Sequence, residues 1–375
     1  MLSPLRHVYA KVTYMSEAHS SEVQATKLRA AVVGLRMGMG HCDGLARSGC
    51  FDLVGVCDIS QEAVGAAVSR YPGAKAFGDF AAMLAELRPE VVVVATPNSL
   101  HHSQALAALA SPGLRGLMVE KPMAVTVADA REIIAIAAEK GVRVNVNHQR
   151  RTWPVFRTMR KLMNYGAIGV PQVIRAGCAG DFLSDGTHLV DSVRFLAGDV
   201  KVKWVAGMVF RETSSGFPGM RFGHATDSAA SAVIEFENGL RAELSTGDLQ
   251  QRGRYYQDYE VFGTEGRMWR AGDQATPQLL VQDLSGGFRQ VKLEPFEFPE
   301  HNDNGLASVY LRLFRQIVEG VGNPMGGASG LAAMEICFAV YESARLNRRI
   351  RFPLDTGMMD LSRFPLDTML AENRL

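Results

Sequence analysis

No sign of charge dominates this chain of 375 residues: 40 basic residues stand against 39 acidic ones, a formal net charge of +1. Such a balance excludes the broad electrostatic footprint by which proteins hold nucleic acid or an anionic membrane surface. Long apolar runs are missing as well. The run Val91–Ala95 falls far short of the roughly 18 residues that span a bilayer, so no membrane partner is expected. Residues 1–27 interleave Arg6, His7, Lys11, Glu17 and Glu22 with small polar residues and hold no continuous apolar block. No secretory signal is read there, and a cytoplasmic location is expected. The five cysteines, Cys42, Cys50, Cys57, Cys178 and Cys337, include no Cys-x-x-Cys pair, which argues against a disulfide framework and a structural zinc site. The spacing of His41, His148, His224 and His301 suggests no metal either, and none is assigned.

What remains is an ordinary folded composition, 47% apolar and 21% charged. At about 150 residues per domain, the length suits two domains. Residues 1–27 lack sustained periodicity and read as an extension. From Leu28 onward, short runs rich in valine alternate with helical stretches: Ala30–Val33, Leu53–Val56, Val91–Val94, Leu117–Val119 and Val142–Val146. Near-continuous apolar runs suit parallel strands buried on both faces. Ser60, Asp79 and Thr126 are good caps for helices over 60–70, 79–87 and 126–140. The alternation over residues 28–150 predicts a doubly wound α/β Rossmann domain.

After residue 150 the pattern changes. Helices over 154–165 and 187–196 precede strand-like runs over 203–210, 229–236, 240–245, 259–263 and 279–283, with a hairpin signal at Asn238–Gly239. Two helices follow, the first with an apolar stripe of Leu306, Val309, Tyr310, Leu313 and Ile317. Residues 151–350 are therefore expected to form an α+β domain on a large, mostly antiparallel sheet, for substrate binding and oligomerisation. Residues 351–375 repeat Arg-Phe-Pro-Leu-Asp-Thr and read as a tail.

The first strand runs into the glycine-rich turn Gly34-Leu35-Arg36-Met37-Gly38, and Asp58 ends the next strand. Glycines here let backbone approach a pyrophosphate, a helix N-terminus offers free N–H donors, and the acid can bond a ribose diol. Gly34, Arg36, Met37, Gly38 and Asp58 are the expected cofactor contacts. The loop departs from G-x-G-x-x-G, since Arg36 stands where a middle glycine belongs. Asp58 favours NAD by repelling a 2′-phosphate, while Arg36 leaves NADP open.

Thr96-Pro97-Asn98 with His101, Glu120-Lys121-Pro122, Arg150-Arg151 with Pro154, and Asp185-Gly186-Thr187-His188-Leu189-Val190-Asp191 together resemble the Gfo/Idh/MocA oxidoreductases, the relatives of glucose-fructose oxidoreductase and inositol dehydrogenase. The resemblance spans residues 28–350. It implies a nicotinamide enzyme that transfers hydride to or from a secondary hydroxyl or ketone of a sugar, sugar derivative or cyclitol, working as a homodimer or homotetramer. It further implies that Lys121 and His188 are catalytic, and that Thr96, Asn98, His101, Glu120 and Lys121 flank the cofactor. The family aspartate four residues before the histidine is replaced by Ser184, which leaves Asp185 or Asp191 to orient His188. An imidazole, whose pKa is ordinarily about 6.5, suits removal of a hydroxyl proton. Arg151 and Trp153, with Lys121, Asp185 and His188, are expected on the substrate side. Arg211–Phe222 is the expected pocket rim. Three alternatives stay open: glycoside cleavage or coupled oxidation and reduction on tightly held NAD, a non-catalytic NAD-binding regulator, and a small-molecule reductase for aromatic diols or biliverdin.

Overall fold

The computed structural model describes residues 26–211, 219–249, 256–271, 277–298, 305–357 and 359–372. The first half alternates strand and helix: β1 (Leu28–Val33), α1 (Leu35–Ser48), β2 (Phe51–Cys57), α2 (Gln61–Arg70), β3 (Lys75–Phe77), α3 (Phe80–Leu87), β4 (Val91–Val94), α4 (His101–Leu109), β5 (Gly116–Val119), α5 (Val127–Glu139) and β6 (Arg143–Val146). These strands form one parallel sheet in the order β3-β2-β1-β4-β5-β6. All four valines of β4 are buried, as a central strand covered by helices on both faces requires. The side chains of Ser60, Asp79 and Thr126 accept the backbone N–H groups of Ala63, Ala82 and Asp129, capping α2, α3 and α5 where the residue types predict. The order reverses between β1 and β4, so the loops after these strands open a crevice at their carboxyl ends.

The second half begins with α6 (Pro154–Asn164), β7 (Pro171–Cys178) and α7 (Gly186–Leu196). β8 (Val202–Phe210), a short ribbon of β9 (Met220–Arg221) and β10 (His224–Ala225), β11 (Ala229–Phe236) and β12 (Arg241–Gly247) come next. β13 (Gln257–Gly263), β14 (Gly266–Ala271), β15 (Gln278–Asp283) and β16 (Phe288–Val291) complete the strand-rich stretch. Helices α8 (Leu306–Val318) and α9 (Gly327–Leu346), strand β17 (Ile350–Arg351) and helix α10 (Pro365–Ala371) end the described chain. Nine strands build one sheet in the order β16-β15-β14-β13-β7-β12-β11-β8-β17, antiparallel except for the pair β7 and β12. The β11–β12 hairpin turns at Asn238–Gly239, where Gly239 has φ +84°.

Two placements differ from the sequence reading. The apolar stripe of α8 leaves the large sheet and returns to the first half, where Val309, Tyr310, Leu313 and Phe314 join the core beneath β1. At this crossing Gly44 of α1 has no room for a side chain, because a Cβ would stand 2.8 Å from Cβ of Leu306. The stretch from 351, read as a tail, is built into the second core. β17 pairs with β8, and Leu354, Leu361, Phe364 and Leu366 are buried. Its apolar residues are too few to fold alone, but α9 offers them a surface.

Candidate active site

The site forms where loops at the carboxyl ends of β1, β2, β4, β5 and β6 meet α7. After β1 the chain turns at Gly34, with φ +85° and a virtual Cβ 2.6 Å from the backbone of Ala95, so any side chain would collide with the neighbouring loop. The first-turn N–H groups of Arg36 and Met37 have no intrahelical acceptor. Gly38 serves packing, since a Cβ there would meet Val32 at 2.9 Å. Asp58 accepts from the backbone N–H of Leu35 at 2.6 Å and of Ser60 at 2.9 Å, which fixes its carboxylate while leaving lone pairs free. A cleft of about 500 Å³ runs past Gly34, Arg36, Met37, Asp58, Thr96 and Phe222. A backbone-lined turn, free helix N–H groups and an oriented carboxylate beside this cleft fit a dinucleotide.

Thr96 lines this cleft and donates to Gln104 at 2.6 Å. Asn98 is turned towards the second half, with Nδ2 3.0 Å from Nε2 of His224 and 3.3 Å from Oγ of Ser184. His101 is wholly buried, its ring nitrogens each 2.8 Å from a carbonyl, that of Thr96 and that of Pro122. It therefore ties two site loops together from behind. Glu120 is also buried. Its Oε1 lies 2.8 Å from Nε2 of His41 and accepts from Asn147 at 2.7 Å, while Oε2 accepts the backbone N–H of Lys121 at 3.0 Å. His41 in turn meets the Tyr310 hydroxyl at 2.6 Å. Burial alone would raise the Glu120 carboxyl, but His41, Lys121 and Asn147 together bring it down to about 2. Glu120 is thus a brace for the Lys121 turn.

Lys121 reaches the second half, where Nζ donates to the carbonyl of Ser184 at 3.0 Å. Four residues later, on the first turns of α7, His188 is 5% exposed, and its Nδ1 has no hydrogen-bond partner among the described residues. Burial first, then the charges of Arg150, Lys121 and His148, hold its imidazole well below the ordinary range. The His148 ring stands edge-on to it at 5.7 Å.

Asp185 and Asp191 are both occupied elsewhere. Asp185 accepts the Tyr256 hydroxyl at 2.6 Å and Arg221 at 3.0 Å. Asp191 is held by Arg151 through two bonds of 2.7 and 2.8 Å. Arg151 also grips Asp199, so the arginine expected at the substrate is locked into a buried ion-pair cluster. Trp153 is 5% exposed and packs in the second core. Of the expected rim, 212–218 lie outside the described residues. Phe222 lines the cleft, and its carbonyl accepts the N–H of Ser99.

Sequence reasoning had no role for His41, Asn147, His148, Tyr310 or Tyr256. Asn147 and His148 directly follow β6, and position at a strand's carboxyl end was the one signal available for them. Away from the cleft, His102, Asp129 and Glu132 bring ligand-type atoms within 4.8 Å of one another, but His102 and Glu132 already pair at 2.8 Å. Among the described residues no helix is long and apolar enough to cross a membrane.

A nucleotide crevice, a lysine on one half and a histidine on the other describe a nicotinamide oxidoreductase. Residues 28–148 match the oxidoreductase family with an NAD-binding Rossmann fold, and residues 176–269 match the C-terminal domain of the same GFO/IDH/MocA group. The chain belongs to that family, and its first domain binds NAD. It is 27% identical over 296 residues to 1,5-anhydro-D-fructose reductase of Ensifer adhaerens, covering 72% of this chain and 81% of that one. It is 25% identical over 362 residues to D-glucoside 3-dehydrogenase of Escherichia coli, covering 88% and 99%. The solved structure of levoglucosan dehydrogenase with NADH superposes with a TM-score of 0.75 at 22% identity, over 88% of this chain and all of that one, a likeness of fold.

Proposed function

We propose that the protein is a dehydrogenase or reductase acting on a secondary hydroxyl or ketone of a sugar, sugar derivative or cyclitol, with Lys121 and His188 handling the proton. The supporting observation is the Lys121 contact with the loop that leads into His188, which brings an ammonium and a neutral imidazole to one place beside the nucleotide cleft. Bound in the cleft, NAD supplies the two-electron acceptor or donor, so that alcohol and NAD⁺ balance ketone, NADH and one proton.

The two residues divide the remaining work. His188, neutral at pH 7, accepts the hydroxyl proton on oxidation. Lys121 spends one N–H on Ser184 and keeps two to polarise the reacting oxygen. Glu120, by fixing the Lys121 backbone, sets where that ammonium starts. NAD is the preferred nucleotide, because the Asp58 carboxylate lining the cleft would repel a 2′-phosphate.

The test is Lys121→Ala, screened beside the native protein on polyols, inositols and glycosides by reduced-nicotinamide absorbance. Turnover should fall about 10²–10⁴-fold with NADH affinity unchanged. Undiminished turnover on a substrate of the native protein refutes the role. We also propose a homodimer or homotetramer formed through the outer face of the large sheet, where Met208, Val233 and Trp269 are exposed. Light scattering should report a multiple of the chain mass, lowered by Trp269→Glu.

A further inference from the structure

Arg150 and Arg151 are adjacent, and their surroundings are opposite. Arg151 spends its guanidinium on two carboxylates, Asp191 and Asp199. Arg150 is 5% exposed, yet its Nε and Nη1 have no hydrogen-bond partner among the described residues. What holds it is aromatic: the guanidinium carbon lies 5.3 Å from the centre of the Trp153 ring and 5.6 Å from that of Tyr256. The ring faces favour the charge without meeting its hydrogen-bonding need.

Nearby acids give no relief. Asp185 is taken by Tyr256 and Arg221, Asp191 by Arg151, and Glu120 by His41 and Asn147. Lys121 Nζ donates to a neutral carbonyl, and the buried Nδ1 of His188 has no hydrogen-bond partner among the described residues. Arg150 is therefore a buried cation with no carboxylate bonded to it among the described residues, and after burial its charge is the next cause that holds the His188 imidazole low. A buried cation without an acceptor is strongly unfavourable, and such arrangements concentrate where a ligand completes them.

We propose that the substrate carries a carboxylate and that Arg150 receives it, so that the protein acts on polyhydroxy acids of the aldonate or uronate type. This rests on the reading of Lys121 and His188 as the proton-handling pair. A neutral sugar can accept a hydrogen bond from Arg150 but leaves its charge buried and uncompensated. A carboxylate matches one guanidinium in charge and in the spacing of its two oxygens. With Lys121 committed to the reacting oxygen, a phosphate dianion exceeds the single charge on offer.

The test is calorimetric titration of the NADH-loaded protein with D-gluconate, D-galactonate, D-glucuronate and D-galacturonate. D-sorbitol, D-glucose and D-glucose 6-phosphate are the comparison ligands. At least one acid should bind tenfold or more tightly than its neutral counterpart. Arg150→Met should abolish that preference and Arg150→Lys should retain part of it, both with native NADH affinity. No acid preference, a preference that survives in Arg150→Met, or tighter binding of the phosphate overturns the inference. Turnover with NAD⁺ separates the two levels of the proposal. Neutral sugars oxidised by a protein that binds no acid refute the carboxylate and leave the dehydrogenase. Acids that bind through Arg150 while neither they nor the sugars are oxidised support the anion site and refute the dehydrogenase.

Discussion

Two buried polar clusters flank the same turn, Glu120–Lys121, and they are built on opposite principles. Behind it, Tyr310, His41, Glu120 and Asn147 form a chain in which each member holds the next at 2.6–2.8 Å. In front of it, Lys121 and Arg150 carry charge of one sign beside the neutral His188, and Arg150 and His188 hold buried nitrogens without hydrogen-bond partners among the described residues. Paired buried groups contribute rigidity. Unpaired ones cost stability and are retained where they do work. Arg150 and Arg151 condense the contrast into adjacent positions, one open and one closed.

The largest effect expected from breaking a closed cluster is that of Arg151→Met. It leaves Asp191, about 1% exposed, and the exposed Asp199 without their principal partner. Removing one member of a buried pair costs about 3–5 kcal/mol. The denaturant midpoint of folding should fall accordingly, and a loss below about 1 kcal/mol would show the cluster to be ornamental.

Glu120→Gln comes next. The folded carboxyl sits at about 2 against an ordinary 4.5, so its charge favours the folded state at pH above about 4.5, and that contribution is lost as pH falls towards 2. At neutral pH the difference is on the order of 3 kcal/mol. The native protein should be more stable than Glu120→Gln at pH 7, with the gap narrowing between about pH 4.5 and 2. A gap constant over that window would mean that Glu120 contributes by shape alone.

These contrasts also show how far the sequence could be read. The Rossmann half was legible because its signals are local: an all-valine β4, capping residues at 60, 79 and 126, and Gly34 and Asp58 at strand ends. Lys121 and His188 could be located by motif. The partners of the site residues could not, since His41 meets Tyr310 across 269 positions and Arg151 meets Asp191 across 40. Nothing local distinguishes Arg150 from Arg151. Strand β7 was missed because its sequence, Pro-Gln-Val-Ile-Arg-Ala-Gly-Cys, has no clean alternation, although it lies mid-sheet between β12 and β13. The hexapeptide Arg-Phe-Pro-Leu-Asp-Thr makes the same point directly. Its first copy closes β17 and bends away, while its second opens α10 with Pro365 in the first turn.

The smallest expected effect is the sharpest test of the open cluster. Arg150→Met removes a buried, unpaired charge without orphaning a carboxylate, so stability should be retained or raised, where Arg151→Met loses several kcal/mol. The consequence should appear in catalysis. His188 is held well below its ordinary pKa by burial first and by Arg150 next, whereas Arg151 is not among the charges acting on it. Because the base must be neutral, kcat/KM falls as pH drops through the pKa of His188. Arg150→Met should therefore move that acid limb to higher pH, still short of about 6.5 because burial remains. Arg151→Met should leave the limb where it is. Equal displacement in both variants, or none in Arg150→Met, would mean that the unpaired guanidinium does not act on the imidazole and that the two arginines differ only in stability.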